Sequence, residues 1–425
     1  MRERPPLPPG PWLVVGLARS GIAAARALAA RGERVVAVDA GAPRAVDLSA
    51  GVETHLRSDG LALLEHARAV VKSPGVPREA PVIAAARAGG IPVLGELELG
   101  WRLLPNEFIA VTGTNGKTTT VQLLGHIHRA AGLAVAVAGN VGDALSGLVD
   151  SLSADAVVVC ECSSFQLEDA LEFAPEGAVL LNVEPDHLDR HGTFEDYLGA
   201  KLRVFARQGE DDVAVAPAGL EVDELGGCAR RVAFGPGGDL DDRAGLLWWD
   251  GEPLIGHDEI PLRGAHNRAN AAAAAAIALA RGIGVDAVRA ALRTFAGVEH
   301  RLEEVASIAG VLYVNDSKAT NVASTLVALA SFDAPVHLIL GGVGKGQDFT
   351  ALRGGAHRAY LVGEAAEQLE REVGGERCGT LEAAVARARA AAAPGEVVLL
   401  SPACASFDQF ADYEARGRAF KALLS

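Results

Sequence analysis

Lysine is scarce in this chain. Of 39 basic residues only six are lysine: Lys72, Lys117, Lys201, Lys318, Lys345 and Lys421. Arginine cannot replace lysine where a compact point charge or a reactive amine is needed, so the lysines that remain are enriched for such roles. Cysteine is sparse as well. The five (Cys160, Cys162, Cys228, Cys378, Cys404) show no C-x-x-C spacing, which argues against a disulfide framework or a zinc site and leaves buried free thiols as the expectation. Basic charge is outnumbered, and a net charge of −15 argues against nonspecific nucleic-acid binding. An anionic small substrate stays open, since a local cluster of cations can dominate one cleft. Long apolar runs are missing: Ala271 to Ala280 is Ala-rich and well short of the ~18 residues that suggest a membrane span. Met1 is followed by Arg2, Glu3, Arg4 and prolines, so no secretory signal is expected. The chain reads as soluble and cytoplasmic.

Apolar residues make up 49% of 425 positions, ample for burial, and at roughly 150 residues per domain the length suggests about three domains. The α/β grammar repeats through all three, with expected borders at 1–98, 99–297 and 298–425.

The middle region carries the most specific stretch, Val111-Thr112-Gly113-Thr114-Asn115-Gly116-Lys117-Thr118-Thr119-Thr120. An apolar run from Phe108 leads in and a helical pattern leads out. Strand, glycine loop and helix N-terminus together hold a nucleoside triphosphate, because loop N–H groups and the helix dipole face the phosphates. Lys117 would reach the outer phosphates and the Thr118 hydroxyl would sit on Mg2+. Val111 replaces the first glycine of the usual pattern, leaving a shorter T-G-T-N-G-K-T loop. The buried run 154–159 then delivers Glu161, a candidate Mg2+ ligand at a strand end. The next run, 178–181, ends in carboxylates, His187 and Arg190, which could take metal or phosphate. Lys201 lies on an apolar helical stretch expected over 194–206, where a bare ammonium would be costly unless paired. Residues 208–263 read as β-rich or irregular without a functional signal, and Asn267, opening a long alanine helix, could meet the adenine.

The first region opens with a strand, the loop Gly16-Leu17-Ala18-Arg19-Ser20-Gly21, an Ala-rich helix and a second strand ending at Asp39. That is a degenerate dinucleotide pattern, and the same geometry holds any pyrophosphate, including that of a UDP-sugar. The turn Lys72-Ser73-Pro74-Gly75-Val76-Pro77 is either a structural turn or part of that site. In the last region three strands run into Asn315–Asn321, Gly341–Asp348 and Ser401–Phe410. All three loops should lie on one sheet edge, facing the nucleotide. Cys404, without a histidine in its motif, reads as a packed thiol rather than a nucleophile.

With these residues assembled, the chain resembles the Mur ligase family over nearly its whole length. T-G-T-N-G-K-T is shared with folylpolyglutamate synthases, whereas S-S-F-Q-L-E, N-D-S-K-A-T-N and L-S-P-A-C-A-S-F-D-Q-F look like the D-glutamate-adding branch. The resemblance implies three domains: a Rossmann-like UDP-binding domain, a P-loop ATPase domain and a C-terminal Rossmann-like domain. It implies an ATP-dependent ligase of peptidoglycan synthesis joining UDP-N-acetylmuramoyl-L-alanine to D-glutamate through an acyl phosphate, with two Mg2+ sites, as a monomer. By family position Gly113, Thr114, Asn115, Gly116, Lys117, Thr118, Thr119, Asn267, Arg301 and Asp316 would hold ATP. Thr118, Glu161, His187 and a carbamylated Lys201 would hold Mg2+. Ser20, Asp39, Gly75, Asn140, Gln166 and His187 would meet the UDP substrate; Lys318, Thr320, Lys345, Ser406 and Tyr413 would meet D-glutamate. Lys117, Glu161, His187, Lys201 and Lys318 would be catalytic. The chain departs from the family at Ala40 and Gly41, where a hydroxyl and an arginine are expected, and at Tyr413, where an apolar aromatic is expected. A sister ligase, a folylpolyglutamate synthase, an NAD-dependent oxidoreductase and an ATP-driven switch are the alternatives. The last two leave the C-terminal motifs or the acid–histidine–lysine clusters without a role.

Overall fold

Short Val- and Ala-rich runs alternate with helices and glycine turns, and in the computed structural model they build three sheets. The structure describes residues 2–43, 48, 51–220 and 226–424. By contacts it divides into two units, Met1–Ile260 with Ala269–Thr294, and Pro261–Arg268 with Phe295–Ser425.

The first unit holds two sheets. β1 (Trp12–Val15), β2 (Val35–Asp39), β3 (Glu53–Leu56), β4 (Ala69–Lys72) and β5 (Val93–Gly95) form a parallel sheet in the order β3-β2-β1-β4-β5. The helix Arg19–Ala30 buries Gly21, Ala24, Ala25 and Ala27, whose small side chains let it lie close to the sheet, together with Leu28. Its start needs Gly21, because a Cβ there would stand 1.8 Å from the Gly16 carbonyl oxygen.

The second sheet is built from β6 (Phe108–Thr112), β7 (Val135–Gly139), β8 (Val157–Glu161), β9 (Gly177–Leu180), β10 (Val213–Pro217), β11 (Arg230–Phe234), β12 (Leu240–Arg243), β13 (Leu246–Trp249) and β14 (Glu252–Gly256). Their order is β14-β13-β12-β11-β10-β9-β6-β8-β7. The stretch 208–263 therefore widens the sheet, ending in an antiparallel meander. The strand expected at 154–159 starts later and includes Glu161, because only its valine-rich half continues into the ladder with β6 and β7. The helix expected over 194–206 ends at Leu202. Beyond it, Val204 and Phe205 bond back three residues, a tighter turn that drives both side chains fully into the core.

The second unit adds β15 (Glu303–Ile308), β16 (Val311–Asn315), β17 (Val336–Gly341), β18 (Arg358–Val362), β19 (Glu376–Gly379) and β20 (Val397–Leu400), in the order β15-β16-β20-β17-β18-β19. β16, β20 and β17 are adjacent and parallel, with Asn315 and Ile339 both opposite Leu400. The three C-terminal loops consequently leave one edge, as the sequence requires. Among the described residues no helix is long and apolar enough to cross a membrane.

Candidate active site

β6 ends at Thr112, and the loop turns at Gly113 (φ +153°) and Gly116 (φ +85°) before the helix Lys117–Ala130 begins. A Cβ on Gly116 would stand 2.1 Å from Asn270 Oδ1, so the loop is packed against the alanine helix and only glycine fits. Asn115 N–H donates to Asn182 Oδ1 (2.9 Å), Asn182 Nδ2 returns a bond to the Asn115 carbonyl (3.1 Å), and the Thr114 hydroxyl lies 3.0 Å from the Tyr197 hydroxyl. These bonds fix the loop from the β9 side, and the N–H groups of Lys117, Thr118 and Thr119 open the helix, an end that suits an anion.

Glu161 is almost fully buried at the end of β8. Thr118 Oγ1 donates to its Oε2 (2.8 Å) and Asn140 Nδ2 to its Oε1 (2.9 Å). Neutral donors thus aim a buried carboxylate next to the helix N-terminus. Lys117 Nζ donates to the carbonyls of Gly113 (2.8 Å) and Thr114 (2.9 Å), and Lys201 Nζ donates to the same Gly113 carbonyl (2.8 Å). Lys201 is 1% exposed and lies over the Tyr197 ring at 4.4 Å. Burial, and then the charge of Lys117, push its amine down to about 7, which answers the question of how an ammonium tolerates this position.

His187 takes a left-handed conformation (φ +52°) at the start of the short turn Leu188–His191 and packs on Phe165 at 4.8 Å. Glu161 and His187 belong to no group of three or more His, Cys, Asp or Glu converging within 4.8 Å among the described residues. A metal there needs further oxygens from elsewhere. The oxygen donors present, the Glu161 carboxylate and the Thr118 hydroxyl, fit Mg2+ filled out by phosphates and water. Gln166 closes a capping box with Ser163 and is buried.

In the first sheet Asp39 is committed to the loop: its Oδ2 accepts from Leu17 N–H (2.6 Å) and its Oδ1 from Gly41 N–H (2.7 Å). Ser73 Oγ bonds the Gly16 carbonyl at 2.7 Å, tying the second turn to the first; Ser20 is half-buried and Gly75 exposed beside them. Lys72 is fully buried, donating to the Val76 carbonyl (2.8 Å) and paired with Asp169 (2.7 Å). Arg190 pairs with Glu168, reaches the Pro74 and Val76 carbonyls and stacks on Phe165 at 4.4 Å. Lys72 and Arg190 therefore join the Pro74–Val76 turn to the segment carrying Gln166, a linkage the sequence did not reveal.

In the second unit Asp316, just beyond the end of β16, is pushed up to about 7 by burial, although Ser401 Oγ (2.8 Å) and Leu302 N–H (3.2 Å) bond it. Arg301 is half-buried next to Leu302, and Asn267 donates to the Arg263 carbonyl at 2.8 Å. Lys318 Nζ lies 5.2 Å from the Tyr413 ring centre; Ser406 is buried, Thr320 half-buried, and Lys345 exposed at φ +52°. Burial pushes the Cys404 thiol up to about 12, which suits packing and not nucleophilic attack.

Two residues that the sequence did not single out hold these loops together. Gln347 Nε2 donates to the Gly344 and Ala403 carbonyls (both 3.2 Å) and reaches that of Thr320 (3.5 Å). Arg416, on the helix Tyr413–Ala422 and 2% exposed, donates to the Ser317 carbonyl (2.8 Å) and hydroxyl (2.9 Å), the Cys404 carbonyl (3.1 Å) and the Gly341 carbonyl (3.4 Å). Most of these contacts span distant sequence, so neither residue had a local signal.

Three family models match: Mur ligase MurD-like N-terminal domain over residues 11–95, Mur ligase middle domain over 111–229, and Mur ligase glutamate ligase domain over 300–404. The chain is 42% identical over 441 residues to the UDP-N-acetylmuramoylalanine--D-glutamate ligase of Acidobacterium capsulatum, covering 97% of this chain and 95% of that one. It is 46% identical over 429 residues to the ligase of the same name from Rubrobacter xylanophilus, covering 97% of each. The UDP-N-acetylmuramate-alanine ligase of Thermotoga maritima shares the fold, with a TM-score of 0.60 at 19% identity over 97% of this chain and 98% of that one. Matched in all three domains and across nearly its full length, the chain belongs to the Mur ligase family.

Proposed function

We propose that this chain ligates D-glutamate to UDP-N-acetylmuramoyl-L-alanine at the expense of ATP, a cytoplasmic step of peptidoglycan precursor synthesis. The observation that carries the reading is the 42% and 46% identity to ligases of that name over 97% of the chain. The geometry supports it.

A carboxylate is a poor electrophile until it carries a leaving group. The alanyl carboxylate oxygen attacks the γ-phosphorus, the bond to the ADP oxygen breaks, and an acyl phosphate forms. The amine of D-glutamate then adds to the carbonyl, loses its proton, and the C–O bond to phosphate breaks to leave the amide. Phosphoryl transfer asks for positioning and charge neutralisation more than for covalent help. Gly113 to Thr119 cradle the phosphates, and Lys117 exchanges its loop carbonyls for the outer phosphate oxygens. Mg2+, when bound, neutralises charge shared between the phosphates and the acceptor carboxylate. Thr118 and Glu161 would hold one ion, and His187 with Lys201 the second. An amine titrating near 7 is substantially neutral at physiological pH, so Lys201 can add CO2, release a proton and become a carbamate with anionic oxygens. Asn267, Arg301 and Asp316 serve ATP. Ser20, Gly75, Asn140 and Gln166 serve the UDP substrate, with Asp39 shaping its loop. Lys318 and Lys345 suit the two carboxylates of D-glutamate, with Thr320, Ser406 and Tyr413 beside them. The chain acts as a monomer on soluble substrates, without nucleic acid or membrane.

The test is phosphate release with ATP, Mg2+ and UDP-N-acetylmuramoyl-L-alanine, offering D-glutamate, L-glutamate, L-lysine or meso-diaminopimelate. Release with D-glutamate alone is expected. Release with another amino acid would make the chain a sister ligase, and silence with all four would reopen the folate ligase and the switch.

A further inference from the structure

The six-stranded sheet has a second edge, opposite the one that bears the Asn315–Asn321, Gly341–Asp348 and Ser401–Phe410 loops. Three ionisable side chains meet there, each at the start of a different strand. His337 is the second residue of β17, His357 precedes β18 and Glu396 precedes β20. One ligand-type atom from each lies within 4.8 Å of the others. Four strand steps along β17 separate His337 from Gly341, about 13 Å at the usual strand rise, so the cluster takes no part in the ligation site.

We propose that His337, His357 and Glu396 form a site for a borderline divalent ion such as Zn2+. His337 is fully buried, and its Nδ1 lies 2.9 Å from the Tyr360 hydroxyl. His337 Nε2 lies 2.9 Å from Glu396 Oε2, so Nε2–H donates to that carboxylate here; an ion would take the place of this proton, with Nδ1–H then donated to the Tyr360 oxygen. A metal-bound imidazole almost always has its other nitrogen held in this way. Ala393 N–H donates to the same Glu396 Oε2 (2.8 Å), which holds that oxygen in place beside the His337 ring. The two imidazole centres lie 5.6 Å apart at 69°. Two imidazoles on one tetrahedral ion, with metal–nitrogen bonds of about 2.0 Å, put their centres roughly 5 Å apart. Insertion of the ion thus asks for side-chain adjustment only. His357 is exposed and Glu396 half-buried, so an ion can reach the cluster from solvent. Two imidazoles with one carboxylate select Zn2+ over Mg2+ or Ca2+, which prefer all-oxygen sites. The other converging group among the described residues, Glu299, His300 and Glu303, is a poorer candidate. Lys421 already pairs with both carboxylates, at 2.9 and 2.5 Å.

The experiment is Zn2+ titration of the tag-free full chain in excess Mg2+, read by a competing chromophoric chelator and by thermal unfolding. One equivalent should bind and raise the melting temperature. His357→Ala and Glu396→Gln alter exposed or half-exposed side chains and should keep the fold and the ligation rate in Mg2+. Each should weaken Zn2+ binding at least tenfold and lose the thermal shift. Tyr360→Phe should weaken binding less, by freeing the His337 ring. Absence of saturable binding, or binding that both ligand variants retain, would overturn the site.

Discussion

Replacing Arg416 tests whether the loops proposed to take D-glutamate are held from behind. Its guanidinium is pulled down only to about 10 by burial, so it is charged at neutral pH. It donates to carbonyls of three loops, those of Ser317, Gly341 and Cys404. Lysine offers three donors on one atom and cannot span groups served by three separate nitrogens. In Arg416→Lys at least two buried acceptors lose their donors, and at 1–3 kcal/mol each that is roughly 2–6 kcal/mol from the stability of the second unit. The loops carrying Lys318, Lys345 and Ser406 then relax, and a shift of about 1 Å costs on the order of 100-fold in rate. Steady-state kinetics and differential scanning calorimetry read both effects. The D-glutamate KM should rise at least tenfold and kcat fall, while the KM values for ATP and the UDP substrate stay within about twofold. A folded variant with an unchanged D-glutamate KM would refute the reasoning, since the loops would then be held by other contacts.

Gly116→Ala forces a left-handed φ on a residue with a Cβ, about 1–2 kcal/mol, and drives that Cβ into Asn270. Turnover should drop on the order of 100-fold and the melting temperature fall by a few degrees, and a near-normal rate would show that the loop adjusts freely. Lys201→Ala should cost roughly 100-fold or more, with partial recovery on adding a short carboxylic acid that supplies the oxygens of the proposed carbamate. Near-normal activity without any rescue would remove Lys201 from the metal site. Asp316 titrates near 7 in the fold against an ordinary aspartate value of 3.8. Its contribution to stability is therefore intact below about pH 4 and is lost as pH rises to about 7, by at most about 4 kcal/mol. Asp316→Asn should gain melting temperature relative to the parent between about pH 4.5 and 7.5, and a constant difference would mean that the carboxyl is not buried as described.

The parts legible in the sequence are those whose chemistry is local. The T-G-T-N-G-K-T loop could be read because strand, glycines and helix start are contiguous, and β16, β17 and β20 because each apolar run stops at a polar loop. Lysine scarcity pointed at Lys117, Lys201, Lys318 and Lys345, and the burial of Lys201 matches the oddity of its position. Asn270, Gln347 and Arg416 stayed hidden because each acts on groups brought in from elsewhere by the fold. Lys72 looked like part of a turn, and its partner Asp169 lies on another sheet's connection. The meander at 240–256 was opaque because a sheet extension leaves only alternating, weakly patterned strands.

ATP must activate the acceptor carboxylate before D-glutamate attacks, and isotope transfer tests that step directly. The measurement uses UDP-N-acetylmuramoyl-L-alanine with 18O in the alanyl carboxylate, and mass spectrometry of the phosphate and nucleotide products. One 18O should appear in each phosphate released, alongside a UDP product heavier by one glutamyl residue. Unlabelled phosphate would contradict carboxylate activation, and an unchanged UDP product would contradict the ligase itself.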